Sequence, residues 1–321
     1  MKEKITMKNR KLYYIALAPF VLGIIFGSFF DLEINRALYA PGNAFGLGFA
    51  AFAPWFGYGF LVLMCGFFHR FAIKEKNIWL KIGFFALSAA GLVVSIKLSA
   101  DKVTSINGFN CPDWTWLWII VVTILFVPLF FLGDRYGKKT DDKAILWVMV
   151  ILAGFMLIEL VPIAQVLKNV MRRPRYRIIA EQTFSDSRIY FFNWWQRFKD
   201  YNAVKSVHGT AASFSEQFKS FPSGHASVAA LLIFGLSYLS LIEPKLKGKE
   251  NLLFGIGLGF TILMAFSRMT VGAHYLSDVS FGAFLMIICC IAANEIILKY
   301  FIRDKEKAPE EAQKEETVAE Q

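Results

Sequence analysis

Three short blocks of the sequence combine residue types that phosphate chemistry requires. The first packs Lys168, Arg172, Arg173 and Arg175 into residues 168–176, with Pro174 between the last two arginines and Tyr176 after them. Such a run can clamp the oxygens of an anion. Coming directly after an apolar stretch, it can equally serve as an interfacial anchor. The second block is Pro222, Ser223, Gly224 and His225, followed at once by an apolar run from Ala226. A Pro-Ser-Gly entry leaves free N–H groups and the positive end of a helix dipole facing outward, which suits a phosphate; the plain alternative for His225 is a helix cap. The third block holds Ser267 and Arg268, then His274 and Asp278. The last two are one helical turn apart, so a carboxylate can hold one imidazole nitrogen and leave the other free to attack, unless they form an ordinary surface pair.

A phosphoryl group in transfer gathers charge on its equatorial oxygens. Fixed cations and helix N–H groups, with one acid-like and one base-like residue in line, are therefore the expected catalytic set. The three blocks contain that set.

The elements that must position the blocks are membrane spans. Of 321 residues 56% are hydrophobic and 19% charged, far from the balance of a soluble domain of this length. The apolar residues gather into runs near 12–30, 46–68, 79–98, 114–133, 144–167, 224–242, 252–270 and 275–298. Each is about the length a helix needs to cross roughly 30 Å of hydrocarbon. An all-α polytopic bundle of eight spans follows, and the run after Leu12 reads as a retained first helix rather than a signal peptide. Lys and Arg concentrate at the N-terminus and in alternate loops, including Arg70, Lys74, Arg135, Lys138, Lys245 and Lys247, whereas the first and third loops hold only Arg36 and Lys102. By the positive-inside rule both termini are cytoplasmic and the three blocks share the extracytoplasmic face.

The net charge of +10 follows topology and membrane lipid. With no continuous soluble basic face, nucleic acid is not expected as a partner. Cys65, Cys111, Cys289 and Cys290 offer neither a disulfide framework nor zinc spacing.

The blocks resemble the three signature motifs of the type-2 phosphatidic acid phosphatase (PAP2) superfamily, over about residues 144–298. The resemblance implies a six-helix catalytic core in which Lys168, Arg175 and Arg268 clamp phosphate and Ser223 and the Gly224 backbone donate further hydrogen bonds. It also implies that His274 attacks phosphorus, Asp278 orients it, His225 protonates the leaving oxygen, and a phosphohistidine forms without metal or other cofactor. The sequence departs from the family pattern in two ways: Tyr176 follows Arg175 where the family has proline, and eight spans replace six. A register using Arg173 and Pro174 would shorten the lysine spacing by two residues.

The division expected is residues 1–143 as four N-terminal spans, partly additional to the family core; 144–300 as the catalytic region with an outer loop at 177–221; and 301–321 as a charged, disordered tail. The aromatic segment Phe191–Phe198 reads as interfacial in preference to a lipid guide. Glu159 reads as a buried, hydrogen-bonded carboxylate, Glu295 as interfacial, and His69 and His208 as outside the chemistry. The activity expected is removal of phosphate from a membrane lipid such as phosphatidate, phosphatidylglycerophosphate or isoprenyl pyrophosphate, in the plasma membrane of a bacterium. A lipid phosphotransferase and a transporter or flippase with an anion site are the competing readings.

Overall fold

A computed structural model describes residues 11–104, 114–139, 164–211 and 214–297. It is all-helical among these residues, as expected. The helices are α1 (Lys11–Leu38), α2 (Ala44–Phe52), α3 (Pro54–Lys74), α4 (Ile78–Thr104), α5 (Thr115–Lys139), α6 (Ala164–Met171), α7 (Tyr176–Ala180), α8 (Tyr201–His208), α9 (Phe214–Gln217), α10 (Gly224–Ile242), α11 (Glu250–Thr270) and α12 (Leu276–Ile297).

Among the described residues, six stretches are long and apolar enough to span a membrane: Tyr14–Leu38, Ala44–Lys74, Ile78–Thr104, Thr115–Lys138, Glu250–Thr270 and Leu276–Ile296. Gly224–Ser240 is a shorter apolar helix. Seven of the eight predicted runs are therefore helices. Of the eighth, 144–167, only the end is described, together with α6; Glu159, Cys111 and the 301–321 tail lie outside the described residues.

The local chemistry explains the breaks. Asn43 caps α2, its side chain accepting from Gly46 N at 2.9 Å. Pro54 then opens α3, so the single apolar run at 46–68 is two helices meeting at Ala53. Asn77 accepts from Trp79 N at 3.0 Å and Leu80 N at 3.3 Å, which starts α4. Arg172, with φ of 50°, ends α6 in the left-handed region, and Pro174 prevents the helix from resuming.

Helix α10 is the centre. It packs on α3, α11 and α12, while α1 lies along α12 and α4 and α5 lie against α3. Residues Ala226 to Phe234 are almost wholly buried, as expected of a helix apolar all round and enclosed by protein. Helices α1, α4 and α5 instead leave Phe26, Phe29, Val93, Ile124 and Phe131 exposed, the sides that face lipid in a spanning bundle.

The loop between α6 and α10 folds over one end of the bundle around its own core of Ile178, Phe198, Tyr201, Val204, Phe214 and Phe218. Here the reading of Phe191–Phe198 as interfacial needs correction. Phe198 is 1% exposed, Phe191 packs on Tyr275, and Trp194 lies against Phe221 and Phe281 while its indole N–H donates to Ser28 at 2.9 Å. The aromatics clamp the loop to the helices, and Trp195 is the half-exposed member. His208 also has a partner, Asp186 at 3.3 Å. Hydrogen bonds from Arg188 hold that carboxyl below the usual range.

Candidate active site

The three blocks meet at one end of the bundle. Lys168 comes from the last turn of α6, Ser223 to His225 from the start of α10, Arg268 from the last turn of α11, and His274 and Asp278 from the turn into α12 and its first residues. Direct contacts join them. Ser223 N donates to Asp278 O at 3.0 Å, and Arg175 Nη1 donates to Ala273 O at 3.2 Å. A Cβ on Gly224 would stand 3.3 Å from Lys168 Nζ, so the absence of a side chain there leaves room for the ammonium group. The His225 and His274 rings are 6.5 Å apart.

His274 is 2% exposed. Its Nδ1 lies 2.6 Å from the Ser220 carbonyl oxygen. A carbonyl can only accept, so Nδ1 carries the hydrogen and the lone pair is on Nε2. Burial, then the charges of Arg175, Arg268 and Lys168, push the imidazole well below the ordinary histidine range. It is therefore neutral near pH 7, the form a nucleophile needs.

Asp278 is placed differently from the direct orienting partner anticipated. Its Oδ2 is 4.0 Å from His274 Nδ1, beyond a hydrogen bond. That oxygen accepts from the Ser220 hydroxyl and from Tyr275 N at 3.0 Å, and the other accepts from Arg173 Nη1 at 2.5 Å. The carboxylate thus holds the segment whose carbonyl holds the imidazole, one step removed from it.

The cations are crowded and underpaired. Arg268 is buried, yet its Nε and Nη1 have no hydrogen-bond partner, nor does His225 Nε2. Unpaired buried donors of this kind are costly unless something accepts from them. Lys168 is pushed down to about 7, by burial first and then by the charges of Lys102 and Arg175. Arg175 spends Nε on Glu216 O at 2.8 Å and Nη1 on Ala273 O, so part of its fork already ties the loop to the site. Ser223 caps α10, its Oγ accepting from Ala226 N at 3.5 Å; its hydroxyl hydrogen is left for an oxyanion. The whole set is suited to one tetrahedral anion beside His274 Nε2.

Two residues gained importance beyond the sequence reading. Arg173, weighed there as one cation of the run and as an alternative register, is fully buried between Asp278 and Asp31, with Nε donating to Phe192 O at 2.7 Å. Lys102, met as one lysine in a sparse loop, lies near enough for its charge to bear on Lys168. The signals available were a second arginine beside proline and ionisable residues at the ends of apolar runs. His69 sits in a separate cluster with Arg70 and Asp134.

Residues 142–301 match the family model of the PAP2 superfamily. The chain belongs to the PAP2 superfamily. No curated protein and no solved structure matches it. All eight predicted site residues fall inside the matched PAP2 region, whereas Lys102 and Asp31 precede it. PAP2 superfamily members are phosphatases, and a PAP2 region in a chain with six apolar helices among its described residues fits a membrane phosphatase.

Proposed function

We propose that the chain is an integral membrane lipid phosphatase that works through a phosphohistidine at His274. Lys168, Arg175 and Arg268 take the phosphate oxygens, with the Ser223 hydroxyl and the first amides of α10 completing the cradle. The His274 Nε2 lone pair forms the N–P bond while the bond from phosphorus to the lipid oxygen breaks. His225, lodged beside the bound dianion, gives its proton to that oxygen, and the lipid leaves as an alcohol or, from a pyrophosphate, as a monophosphate. His225 then takes a proton from water, whose oxygen attacks phosphorus and releases inorganic phosphate and free His274. Asp278 and the Ser220 carbonyl keep Nδ1 protonated and balance the charge that the imidazole ring acquires on phosphorylation.

One observation carries this reading: a neutral histidine with a defined Nε2 lone pair lies among three cations, one of which has unpaired buried donors. A lipid substrate is favoured because the site residues lie at the ends of apolar helices. The Lys and Arg distribution favours the extracytoplasmic side. The test is phosphate release by purified protein from phosphatidate, phosphatidylglycerophosphate and isoprenyl pyrophosphate. Wild-type protein is expected to release phosphate from at least one, and His274→Ala to lose that activity; full activity of His274→Ala would end the proposal.

A further inference from the structure

Helix α1 lies outside residues 142–301, yet its last turns are bonded to the segment that carries His274. Asn35 Nδ2 donates to His274 O at 3.1 Å. Asp31 Oδ1 accepts from Ser277 N at 2.9 Å, while Oδ2 accepts from Arg173 Nη2 at 2.8 Å and from the Ser277 hydroxyl. Ser277 Oγ in turn accepts from Arg173 Nη1 at 2.9 Å. Asp31, Asn35 and Arg173 are all at most 1% exposed. The approach is as close as backbone allows: a Cβ on Gly27 would fall 2.6 Å from Ser277 N.

Arg173 is therefore a bridge with a carboxylate at each end. Asp31 takes one arm and Asp278 the other, and the guanidinium also lies 4.1 Å from the Tyr275 ring centre. A buried guanidinium that loses one of two carboxylates is left with an unmatched donor and is drawn toward the other. Here the other is Asp278, whose second oxygen holds the Ser220 hydroxyl and Tyr275 N. Displacing it disturbs the Ser220 carbonyl that sets His274 Nδ1. Asp31 bonds to Arg173 and Ser277 and not to Lys168, Arg175 or Arg268, which form the anion clamp; Arg175 is held instead by Glu216 O and Ala273 O.

We propose that Asp31 is a positioning residue for the His274 chemistry, acting through Arg173 and Ser277 on Asp278, so that the first helix is a working part of the site. This rests on the phosphohistidine reading above. It separates nucleophile alignment, which depends on Asp31, from anion binding, which does not.

The experiment measures kcat and KM of the purified full chain on a short-chain phosphatidate in detergent, with inorganic phosphate as competitive inhibitor. Activity is expressed per folded molecule, from size exclusion and melting of the same sample. Asp31→Asn is expected to lower kcat about 30-fold while KM and the phosphate inhibition constant stay within about threefold. Asp31→Glu is expected to recover most of the loss, because it restores the charge. A kcat per folded molecule close to wild type in Asp31→Asn overturns the proposal. So does an equal weakening of phosphate binding, or failure of Asp31→Glu to rescue, since each marks a general structural role. Should Asp31→Asn yield no folded protein, Ser277→Ala is read the same way, with about a fivefold fall in kcat expected and no fall counting against the proposal. His274→Ala runs in parallel: its full activity refutes the parent reading, whereas its inactivity beside an unaffected Asp31→Asn refutes the Asp31 role alone.

Discussion

Replacing Arg268 by methionine separates what the residue does for the fold from what it does for phosphate. The residue is 5% exposed, and its Nε and Nη1 lack partners. Each unsatisfied buried donor group costs about 1–3 kcal/mol, so the two together cost roughly 2–6 kcal/mol. Repulsion from Arg175 and Arg177 adds to this. Methionine is unbranched and flexible enough to fill the apolar part of the space, with no charge and no N–H donor. The substitution is expected to stabilise the phosphate-free protein by about 2 kcal/mol, a rise of about 4 °C in melting temperature. Catalysis moves the opposite way. Loss of one preorganised donor to a developing oxyanion costs about 2.7–4 kcal/mol, or roughly 10²–10³ in kcat. The assay is thermal unfolding in detergent with and without orthovanadate, a phosphate mimic, alongside phosphate release. Wild-type protein should gain stability from the oxyanion, and Arg268→Met should start higher and gain little. If Arg268→Met melts several degrees below wild type and still responds to vanadate, the guanidinium is a structural group and the account of its unpaired donors is wrong.

Other consequences concern protons and charge. Lys168, at about 7, loses its proton in the free protein as pH rises through neutrality, so kcat/KM should fall above pH 7, and Lys168→Arg should shift that fall to higher pH because a guanidinium stays charged. The same depression means that between about 7 and 10.5 the unfolded chain binds a proton that the folded chain has lost; stability should therefore rise across that window in a pH series of melting curves, and Lys168→Arg should flatten the rise. Asp278→Asn removes one of the two charges on Arg173 and weakens the hold on Ser220; kcat should fall about 10²–10⁴-fold with KM changed much less, a split that steady-state kinetics would resolve.

The spans were legible because lipid-facing and core residues are both apolar, so a membrane helix shows as a continuous run whatever it packs against. The site residues were legible because each sits in a short block at the end of such a run: Lys168 and Arg175, Ser223 to His225, and Arg268 with His274 and Asp278. Partnerships across the fold were not. Asp31 meets Ser277 across 246 positions and Asn35 meets His274 across 239, and no local pattern marks a carboxylate near the end of a helix as the partner of a distant arginine. Composition likewise cannot distinguish aromatics that pack inward from aromatics that face lipid, so Phe198 and Trp194 were misread as interfacial. Spacing placed Asp278 one turn from His274 but could not show that the Ser220 carbonyl stands nearer to Nδ1.

The central claim is that phosphate passes through His274, and the most direct measurement is rapid quenching of the protein during turnover of its best lipid phosphate, followed by mass analysis of its peptides. The account predicts an acid-labile phosphoryl group on the peptide containing His274, formed and lost fast enough to match kcat and absent from His274→Ala. Steady turnover with no phosphoryl group on His274, or with the group on His225 or a carboxylate instead, would contradict it.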